Sequence, residues 1–451
     1  MVETTQTSLR RRLASGSAWG AAGKIVTAAA ALATNALLAR LLGAEDLGAY
    51  FLLLTVVTVA VSVTHLSVGQ TAVRLVAGAL AADRPGRARA AMLWALALGG
   101  ALGGAFALAL TFGGGRWLAE TLFEAPAMAA AAGLGALWLL VLVLQVLVAE
   151  AWRGCGDIRR ATLFGGAITG VLAVAALVAC RLLGPPRLGL ADVLPLLIAA
   201  ALAGVLLGGW RLARRVAALR GPGTIGPREV AVAAAPLLLT ALPWLVLNHA
   251  DLVILGTFHT PEEVARYGTA ARLVALVTMP LLIVNAVLPP VISELYTKGE
   301  LARLERALRA TATYIGLPAA AALALFALFG DTVLGVVYGE PYRAGATVLA
   351  ILSLGHLITV WSGSCGLTLI QTGENLSVLL VTLVGAAVTV ALCLALVGPY
   401  GAEGTAAARA TGLVVLNLGL WLAVRWRTGM WTHVQLGRML HPRSYRLELL
   451  R

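Results

Sequence analysis

The feature that most constrains this chain is a succession of separate apolar blocks, each roughly 20 residues long. A helix rises 1.5 Å per residue, so one block can cross the hydrocarbon core of a bilayer, which is about 30 Å thick. A transmembrane barrel would instead show alternating segments of about ten residues. The composition agrees, because 60% of the residues are hydrophobic and only 12% are charged, against about 25% charged in soluble domains. The sequence therefore predicts an all-α polytopic membrane protein.

We predict twelve transmembrane helices joined by short loops. The predicted spans lie at about 17–40, 48–72, 90–113, 129–151, 161–182, 192–212, 230–256, 266–291, 311–330, 345–369, 376–397 and 402–424. The chain starts with the basic segment "SLRRRLASGSAWG", but the apolar stretch that follows is too long for a signal peptide. We therefore expect an uncleaved first helix.

Lysine and arginine residues predict the orientation, because positive residues stay on the cytoplasmic side of a membrane. Counted by loop, 24 of the 34 fall on the side that includes both ends of the chain, so both termini are expected in the cytoplasm. The net charge of +13 is spread over this one face without interleaved aromatic residues. This distribution favours anionic membrane lipids as partners and argues against nucleic acid.

Two similar turns indicate an internal repeat. They are "LLGAEDLGAY" at 41–50 and "FHTPEEVARY" at 258–267, which lie 217 residues apart and align Tyr50 with Tyr267. The same offset aligns Gly156 with Gly373, so each half is predicted to contain six spans. Because six is even, both halves enter the membrane in the same orientation, which predicts two parallel six-helix repeats around a central cavity.

The repeat and the loop composition together predict the domain boundaries. A basic loop with several glycine and proline residues joins the two halves, and we interpret it as a linker or hinge. The predicted parts are an N-terminal six-helix lobe at 1–213, a cytoplasmic linker at 214–230, a C-terminal six-helix lobe at 231–425 and a basic cytoplasmic tail at 426–451.

The segments "NALLARLLGAEDLGAYFLLLTVV", "GQTAVRLVA" and "NHADLVILGTFHTPEEVARYGTAARL" resemble the polysaccharide flippase family of the multidrug/oligosaccharidyl-lipid/polysaccharide exporter superfamily. The resemblance covers about residues 10–425. It implies a flippase, not an enzyme, that moves an undecaprenyl-diphosphate-linked oligosaccharide from the inner to the outer leaflet of a bacterial or archaeal cytoplasmic membrane. The chain lacks a fourteen-span layout and an "RRLFAEGA"-like stretch, which argues against the peptidoglycan-precursor branch.

Charged residues inside the predicted spans are the candidate substrate-binding residues, because placing a charge in hydrocarbon costs roughly 2.5 to 3.5 kcal/mol even on insertion scales. These residues are Lys24, Arg74, Asp251 and Arg272. Their counterparts in the other half of the repeat are all uncharged: Ala241, Val291, Thr34 and Thr55. The repeated scaffold therefore does not require the four charges.

Asp251 and Arg272 are expected at a similar depth of roughly 7 to 8 Å from the outer ends of their helices. At that depth they can form a structural salt bridge. The functional alternative is that Arg272 contacts the diphosphate or a sugar of the substrate, since arginine offers two parallel hydrogen bonds to phosphate. Asp251 then holds Arg272 or titrates with a coupling cation, a proton or a sodium ion.

The other polar positions have both a structural and a functional interpretation. Lys24 either extends to the cytoplasmic headgroups or faces the cavity and attracts diphosphate. For Arg74 and Arg409, which lie nearer the interfaces, extension to the headgroups is favoured. Gln145 and Asn285 are weaker candidates, for which we expect hydrogen bonds between helices.

No cofactor or metal is expected. Four cysteines without CxxC spacing predict neither a disulfide framework nor a metal site. The stretch "WGAAGKI" lacks the first glycine and the final Ser or Thr of a phosphate loop. The histidines in the spans, His65, His249 and His356, are interpreted as packing or hydrogen-bonded residues rather than proton carriers.

Two alternatives to a glycan flippase stay open. A cation-coupled antiporter of small molecules or drugs in the same superfamily would need a mainly acidic cavity, whereas Lys24, Arg74 and Arg272 make this one basic. A membrane-embedded enzyme that modifies glycans would need a large external domain or a catalytic histidine in a polar cluster. No predicted external loop exceeds roughly twenty residues.

Overall fold

The structure, a computed structural model, describes residues 2–183, 188–221 and 223–435. The secondary structure in these ranges consists of helices. The first seven long helices are α1 (Val2–Leu41), α2 (Ala44–Ala81), α3 (Pro85–Leu122), α4 (Ala132–Gly154), α5 (Ile158–Leu183), α6 (Leu190–Ala218) and α7 (Pro227–Phe258). The later helices are α8 (Pro261–Asn285), α9 (Leu288–Thr297), α10 (Leu301–Val337), α11 (Ala346–Ser362), α12 (Cys365–Gln371) and α13 (Asn375–Thr428).

The last of these helices, α13, folds back on itself and makes two passes. Gly401 interrupts its 54 residues with φ 51° and ψ −131°, which are not helical angles. On either side of Gly401 the two arms lie side by side, because a Cβ atom added to Gly385 would lie 3.1 Å from the Cβ atom of Leu416. At the far ends of the arms, Glu374 and Arg427 form an ion pair at 3.4 Å. The arms therefore form an antiparallel hairpin that corresponds to the predicted spans 376–397 and 402–424.

Eleven helical segments of the described residues are long and apolar enough to cross a membrane; one of them, Glu340–Ser362, joins a short 3-10 helix to α11. Since α13 is one of them and crosses twice, the described residues make twelve passes, which confirms the predicted polytopic helical fold. The arrangement of these passes as two parallel repeats around a cavity stays a prediction.

Several helices extend well beyond the spans that hydropathy predicts. The helix α2 has 38 residues, or about 57 Å at 1.5 Å per residue, whereas the hydrocarbon core is about 30 Å thick. The continuation of α2 to Ala81, "VRLVAGALA", is apolar apart from Arg74 and lies outside the predicted span, which ended two residues before this charge. A five-residue π-helical turn, His65–Gly69, interrupts α2.

The predicted tenth span, 345–369, is broken. The helix α11 ends at Ser362, and α12 begins at Cys365. Between them, Gly363 has a φ of 78°, a conformation that side chains rarely adopt, and a Cβ atom there would collide with the carbonyl oxygen of Thr432. Glycine has no side chain and therefore permits both this backbone angle and the close approach of Thr432.

The segment that follows α13, residues 430–435, packs against this turn, and we call it the strap. The Thr432 hydroxyl donates to the carbonyl of Ser362 at 2.8 Å, and the backbone N–H of Val434 donates to the carbonyl of Trp361 at 3.0 Å. His433 in the strap accepts a hydrogen bond from the indole N–H of Trp421 at 3.0 Å. The strap thereby connects α11 and α13 at the ends of these helices.

The chain divides into two compact units. The first unit comprises Met1–Leu245 and His259–Ala265, and the second comprises Val246–Phe258 and Arg266–Arg451. The predicted linker, 214–230, begins within α6, which ends at Ala218, and finishes within α7, which starts at Pro227. The predicted domain boundaries themselves stay a prediction.

Glycines allow close helix packing inside the first unit. A Cβ atom added to Gly99 or Gly103 on α3 would lie 2.7 Å from the side chains of Leu147 and Val143 on α4. In a membrane the lipid tails are as apolar as the side chains, so helices associate through such close packing and through hydrogen bonds. The sequence "GGALGG" therefore holds α3 and α4 together.

Candidate functional site

Three polar side chains meet inside the second unit. Asp251 lies on α7, Tyr267 on α8 and Arg409 on the second arm of α13. The guanidinium of Arg409 is 3.1 Å from the carboxylate of Asp251, and the Tyr267 hydroxyl donates to the same carboxylate at 2.6 Å. Arg409 also donates to the backbone carbonyl of Leu247 at 2.8 Å. Only 6% of the Asp251 side chain and 12% of the Arg409 side chain are exposed, so this ion pair is buried and hydrogen-bonded.

This cluster corrects two expectations. A salt bridge between Asp251 and Arg272 was one of the two alternatives for this pair, but the ion-pair partner of Asp251 is Arg409. The interpretation that Arg409 extends to the interface is wrong, because its guanidinium is buried against α7. Arg409 lies eight residues, or about 12 Å, beyond the bend at Gly401. Hydropathy cannot show that the second arm of α13 lies beside α7.

Arg272 lies further along α8 than the level at which Asp251 contacts this helix. The helix α8 begins at Pro261, so Arg272 is eleven residues, or about 17 Å, from that end. Asp251 is seven residues, or about 10 Å, from the end of α7. Asp251 contacts Tyr267, which lies five residues, or about 8 Å, before Arg272 along α8, so the two charges do not lie at the expected equal depth. The positive charge of Arg272 interacts electrostatically with the side chains of His249 and Tyr338.

The candidates of the first unit, Lys24 and Arg74, lie at different depths. Lys24 is exposed on α1, 17 residues or about 26 Å from Leu41. Arg74 is 30 residues or about 45 Å from Ala44, at the corresponding end of α2, and so lies beyond the hydrocarbon core. It donates to the carbonyl of Ala233 at 3.5 Å. Lys24 therefore lies closer than Arg74 to the level of Leu41 and Ala44.

The first unit also contains a polar cluster that our sequence predictions missed. Glu150 on α4 has only 5% of its side chain exposed and pairs with Arg153 one turn later. Its Oε1 atom lies 3.6 Å from Nδ1 of His65. Glu150 is 18 residues, or about 27 Å, from Ala132, which is the depth of Lys24. The available signal was a carboxylate inside the predicted span 129–151 with an arginine three residues later.

Gln145 forms the expected hydrogen bonds between helices, whereas Asn285 bonds to the turn between α11 and α12. Gln145 on α4 donates to the carbonyl of Phe164 at 3.2 Å and to the hydroxyl of Thr169 at 2.8 Å, both on α5. Asn285, at the end of α8, accepts a hydrogen bond from Ser364 at 2.6 Å. A polar group inside hydrocarbon needs such a partner, so these contacts stabilise the helix packing.

The potential metal ligands and the thiols of the described residues are dispersed. Among these residues, no three His, Cys, Asp or Glu side chains are grouped so as to hold a metal ion. The cysteines Cys155, Cys180, Cys365 and Cys393 are free thiols. Burial raises the pKa of the Cys155 thiol, which disfavours the reactive thiolate.

Comparison with known proteins places the sequence in a family. A family model described as "Polysaccharide biosynthesis protein" matches residues 13–296. No curated protein sequence matches the chain significantly.

Several solved structures are similar in fold. An inward-facing multidrug resistance MATE family transporter of the MOP superfamily has a TM-score of 0.76 at 17% identity, covering 89% of this chain and 94% of its own. The lipid II flippase MurJ, in an inward closed conformation, has a TM-score of 0.72 at 13% identity, covering 96% and 90%. A MOP superfamily transporter from Pyrococcus furiosus, described as having a binding pocket of reverse polarity, has a TM-score of 0.64 at 17% identity, covering 92% and 95%. At these identities the similarity shows the fold alone.

Proposed function

Because this chain belongs to the polysaccharide biosynthesis protein family, we propose that it is a flippase for lipid-linked glycans. It moves an undecaprenyl-diphosphate-linked oligosaccharide from the inner to the outer leaflet of a bacterial or archaeal cytoplasmic membrane by alternating access. Both of its termini are cytoplasmic, and its basic face contacts anionic lipids. The membrane potential, or a gradient of protons or sodium ions, drives the movement.

The observation that carries this proposal is the depth of two cations. Lys24 in the first unit lies about 26 Å along α1 from Leu41, and Arg272 in the second unit lies about 17 Å along α8 from Pro261. The first position is at the inner edge of the core, where the diphosphate of an inner-leaflet lipid lies. The second lies inside the predicted span 266–291, where a diphosphate crossing the membrane needs a compensating charge. Lysine binds phosphate as a point charge, and arginine binds it through two parallel hydrogen bonds.

The buried carboxylates favour an anionic substrate over the cationic one of the alternative antiporter. Two acidic side chains are buried among the described residues, Glu150 and Asp251. Each is paired with an arginine, Glu150 with Arg153 and Asp251 with Arg409. A site for an organic cation needs a carboxylate whose charge is available, and both of these charges are neutralised by the protein itself.

The proposal is tested with purified protein in liposomes that carry a fluorescent undecaprenyl-diphosphate-linked oligosaccharide in both leaflets. Flipping is measured as the fraction of fluorophore that becomes accessible to a membrane-impermeant quencher. We expect Lys24→Gln and Arg272→Gln each to slow flipping by about tenfold or more, since one charge-assisted contact to phosphate contributes roughly 1.5 to 3 kcal/mol.

Lys298→Gln is the matched control, because Lys298 is the other lysine of the chain and pairs with Glu294 on the exposed end of α9. It removes the same charge as Lys24→Gln without touching the spans, and we expect the wild-type rate. The proposed substrate would be refuted if the fluorophore moved no faster with wild-type protein than in empty liposomes. The melting temperature of the reconstituted protein shows that it is folded in this comparison. Export of an organic cation under the same conditions would favour the antiporter.

A further inference from the structure

The cluster of His65, Glu150 and Arg153 in the first unit has no part in the substrate contacts proposed above. His65 opens the π-helical turn of α2, and Glu150 faces this turn from α4, four residues before α4 ends. A π-helical turn rotates side chains out of the regular helical register, and such turns occur frequently at functional sites. The position of the cluster is therefore set by a local departure from α-helical geometry.

The geometry of the pair is that of an incomplete hydrogen bond. The Nδ1 atom of His65 is buried and has no hydrogen-bond partner among the described residues. It lies 3.6 Å from Oε1 of Glu150, beyond the 2.7 to about 3.2 Å of a hydrogen bond. The rest of the imidazole is accessible, since 34% of the His65 side chain is exposed, whereas 5% of the Glu150 side chain is. A proton can therefore reach the ring from water and be stabilised by a buried carboxylate.

Gly69 makes the approach of the two side chains possible. It lies at the last position of the π-helical turn. A Cβ atom at this position would be 3.2 Å from Cγ of Glu150 and 3.5 Å from Nδ1 of His65. The absence of a side chain on Gly69 therefore leaves room for the carboxylate and the imidazole to face each other.

Several charged side chains lie around the His65 imidazole and the Glu150 carboxylate. The charges that act on His65 are those of Glu150 and Arg153, and the charge of Arg153 also acts on Lys24. Other charged side chains on the same ends of helices packed against α4 are Arg74, Arg87, Arg89, Arg159, Arg160, Arg211, Arg214 and Arg215. Of these, Arg87 pairs with Glu229 and Arg160 pairs with Asp157.

We propose that His65 and Glu150 form a proton-binding site that controls whether Arg153 is available to an anionic lipid headgroup. A proton from water adds to the lone pair of Nδ1, and the imidazolium then donates a hydrogen bond to Oε1 of Glu150. The negative charge of Glu150 is thereby neutralised by His65, and Arg153 no longer provides its main counter-charge. The cytoplasmic edge of the first unit gains one positive charge, next to Lys24.

The class of ligand rests on the proposed function, since the headgroup that Arg153 and Lys24 bind is the diphosphate of a polyprenyl lipid. Capture of that lipid is therefore strengthened by protons. The neutral and the protonated state of His65 lead to a different expectation for the wild type and for each of two variants. Wild-type capture depends on pH, His65→Gln gives weak capture at every pH, and Glu150→Gln gives tight capture at every pH because Arg153 has lost its internal anion.

The test uses the full-length protein in detergent micelles with undecaprenyl diphosphate as the probe. Calorimetric titrations at about pH 5.5 and 7.5 should give a Kd about tenfold lower at the acidic pH for the wild type, since one nearby charge changes binding by roughly this factor. The control is His259→Gln, which removes a second His–Glu pair of the first unit, His259 and Glu263 at 2.9 Å, far from Arg153 in the sequence. This variant should keep the pH dependence of the wild type.

A second measurement needs no lipid. The imidazole signals of labelled His65 are followed against pH by NMR, and are assigned through their loss in His65→Gln. If the two residues share a proton, Glu150→Gln moves the pH midpoint of these signals by about one unit. An unmoved midpoint, or a His65→Gln variant whose lipid binding keeps the wild-type pH dependence, overturns the proton site. If no variant binds undecaprenyl diphosphate at either pH, the proposed function fails, and the NMR midpoint alone decides the proton site.

Discussion

Asp251 and Arg409 form a buried ion pair at 3.1 Å inside the second unit, although one lies on α7 and the other on the last arm of the chain. The Tyr267 hydroxyl completes the coordination of the carboxylate at 2.6 Å. Three helices are thus joined at one carboxylate. Each buried charge compensates the other. Removing one residue alone therefore leaves an uncompensated charge between the packed helices and destabilises the protein.

The first prediction concerns the loss of one partner. Arg409→Gln should lower the melting temperature and the abundance of the protein, because breaking a buried pair costs about 3 to 5 kcal/mol by leaving one charge uncompensated. The double variant Asp251→Asn with Arg409→Gln should recover most of the loss. Thermal unfolding in detergent measures both effects. Arg343→Gln is the control, since Arg343 pairs with the exposed Glu340 and its loss should change little. A double variant no more stable than Arg409→Gln would contradict this account.

The second prediction concerns Gly48 in the first turn of α2. A Cβ atom there would overlap the backbone carbonyl of Pro261, which cannot move away as a flexible side chain can. Gly48→Ala should therefore lower the melting temperature by several degrees, as expected for overpacking that costs about 1 to 3 kcal/mol. Gly43→Ala, five residues earlier, meets no atom within 4 Å and should be near neutral. Equal melting temperatures for the two variants would rule out the close approach.

The third prediction concerns the pH dependence of the strap. Burial and the charge of Arg309 lower the pKa of His433, so a released strap binds this proton better than a docked one. The docked state is therefore fully favoured above the ordinary histidine pKa of about 6.5 and loses stability as the pH falls below it. Hydrogen exchange of the amide of Val434, which bonds to Trp361, should accelerate at acidic pH after correction for intrinsic rates.

His433→Gln is the matched variant for the strap. Glutamine can still accept a hydrogen bond from the indole of Trp421 but does not titrate in this range. Its Val434 amide should exchange at a corrected rate that is independent of pH. The amide of Tyr338, bonded to Leu334 at the end of α10, serves as the internal reference. Equal acceleration at Val434 in wild type and in His433→Gln would show that another group controls the strap.

The fourth prediction concerns topology. Tags at Arg220 and after Arg451 should be cytoplasmic, and tags near Ala44 or Thr260 should be external, because most of the lysine and arginine residues fall in the loops on one side. Accessibility to a membrane-impermeant reagent in intact cells, compared with permeabilised cells, gives the side of each tag. Labelling of the C-terminal tag in intact cells would overturn the predicted orientation.

The fifth prediction concerns the driving force. An inside-negative potential drives negative charge outward. It favours the export of two uncompensated negative charges by about 4.6 kcal/mol per 100 mV, from roughly 2.3 kcal/mol per charge. Collapsing the potential across liposomes should therefore slow flipping more than removing ATP does. The proton and sodium gradients are set to zero in a parallel sample, so that an ion gradient cannot replace the potential. Equal rates with and without the potential in that sample would exclude it as the driving force.

The sequence by itself determined the properties that depend on neighbouring residues. Hydropathy over about twenty residues is a local quantity, so it predicted the twelve passes, including the two arms of α13 that meet at Gly401. It also predicted the hydrogen-bonding roles of Gln145 and Asn285, because a lone amide in an apolar span must find a partner in a neighbouring segment. The segments at 35–57, 69–77 and 248–273 were sufficient to indicate the family.

The tertiary structure alone decided which charges meet. Nothing in the local sequence of Asp251 distinguishes Arg409 from Arg272 as its partner, because the choice depends on which helix lies beside α7 and at what depth. The same holds for His65 and Glu150, which face each other only because a π-helical turn and Gly69 bring α2 close to α4. An ion pair requires its charged atoms to lie within about 4 Å of each other. Hydropathy predicts the ends of a helix only to within several residues along its axis. Positions of that precision are set by side-chain packing between helices that are distant in the sequence.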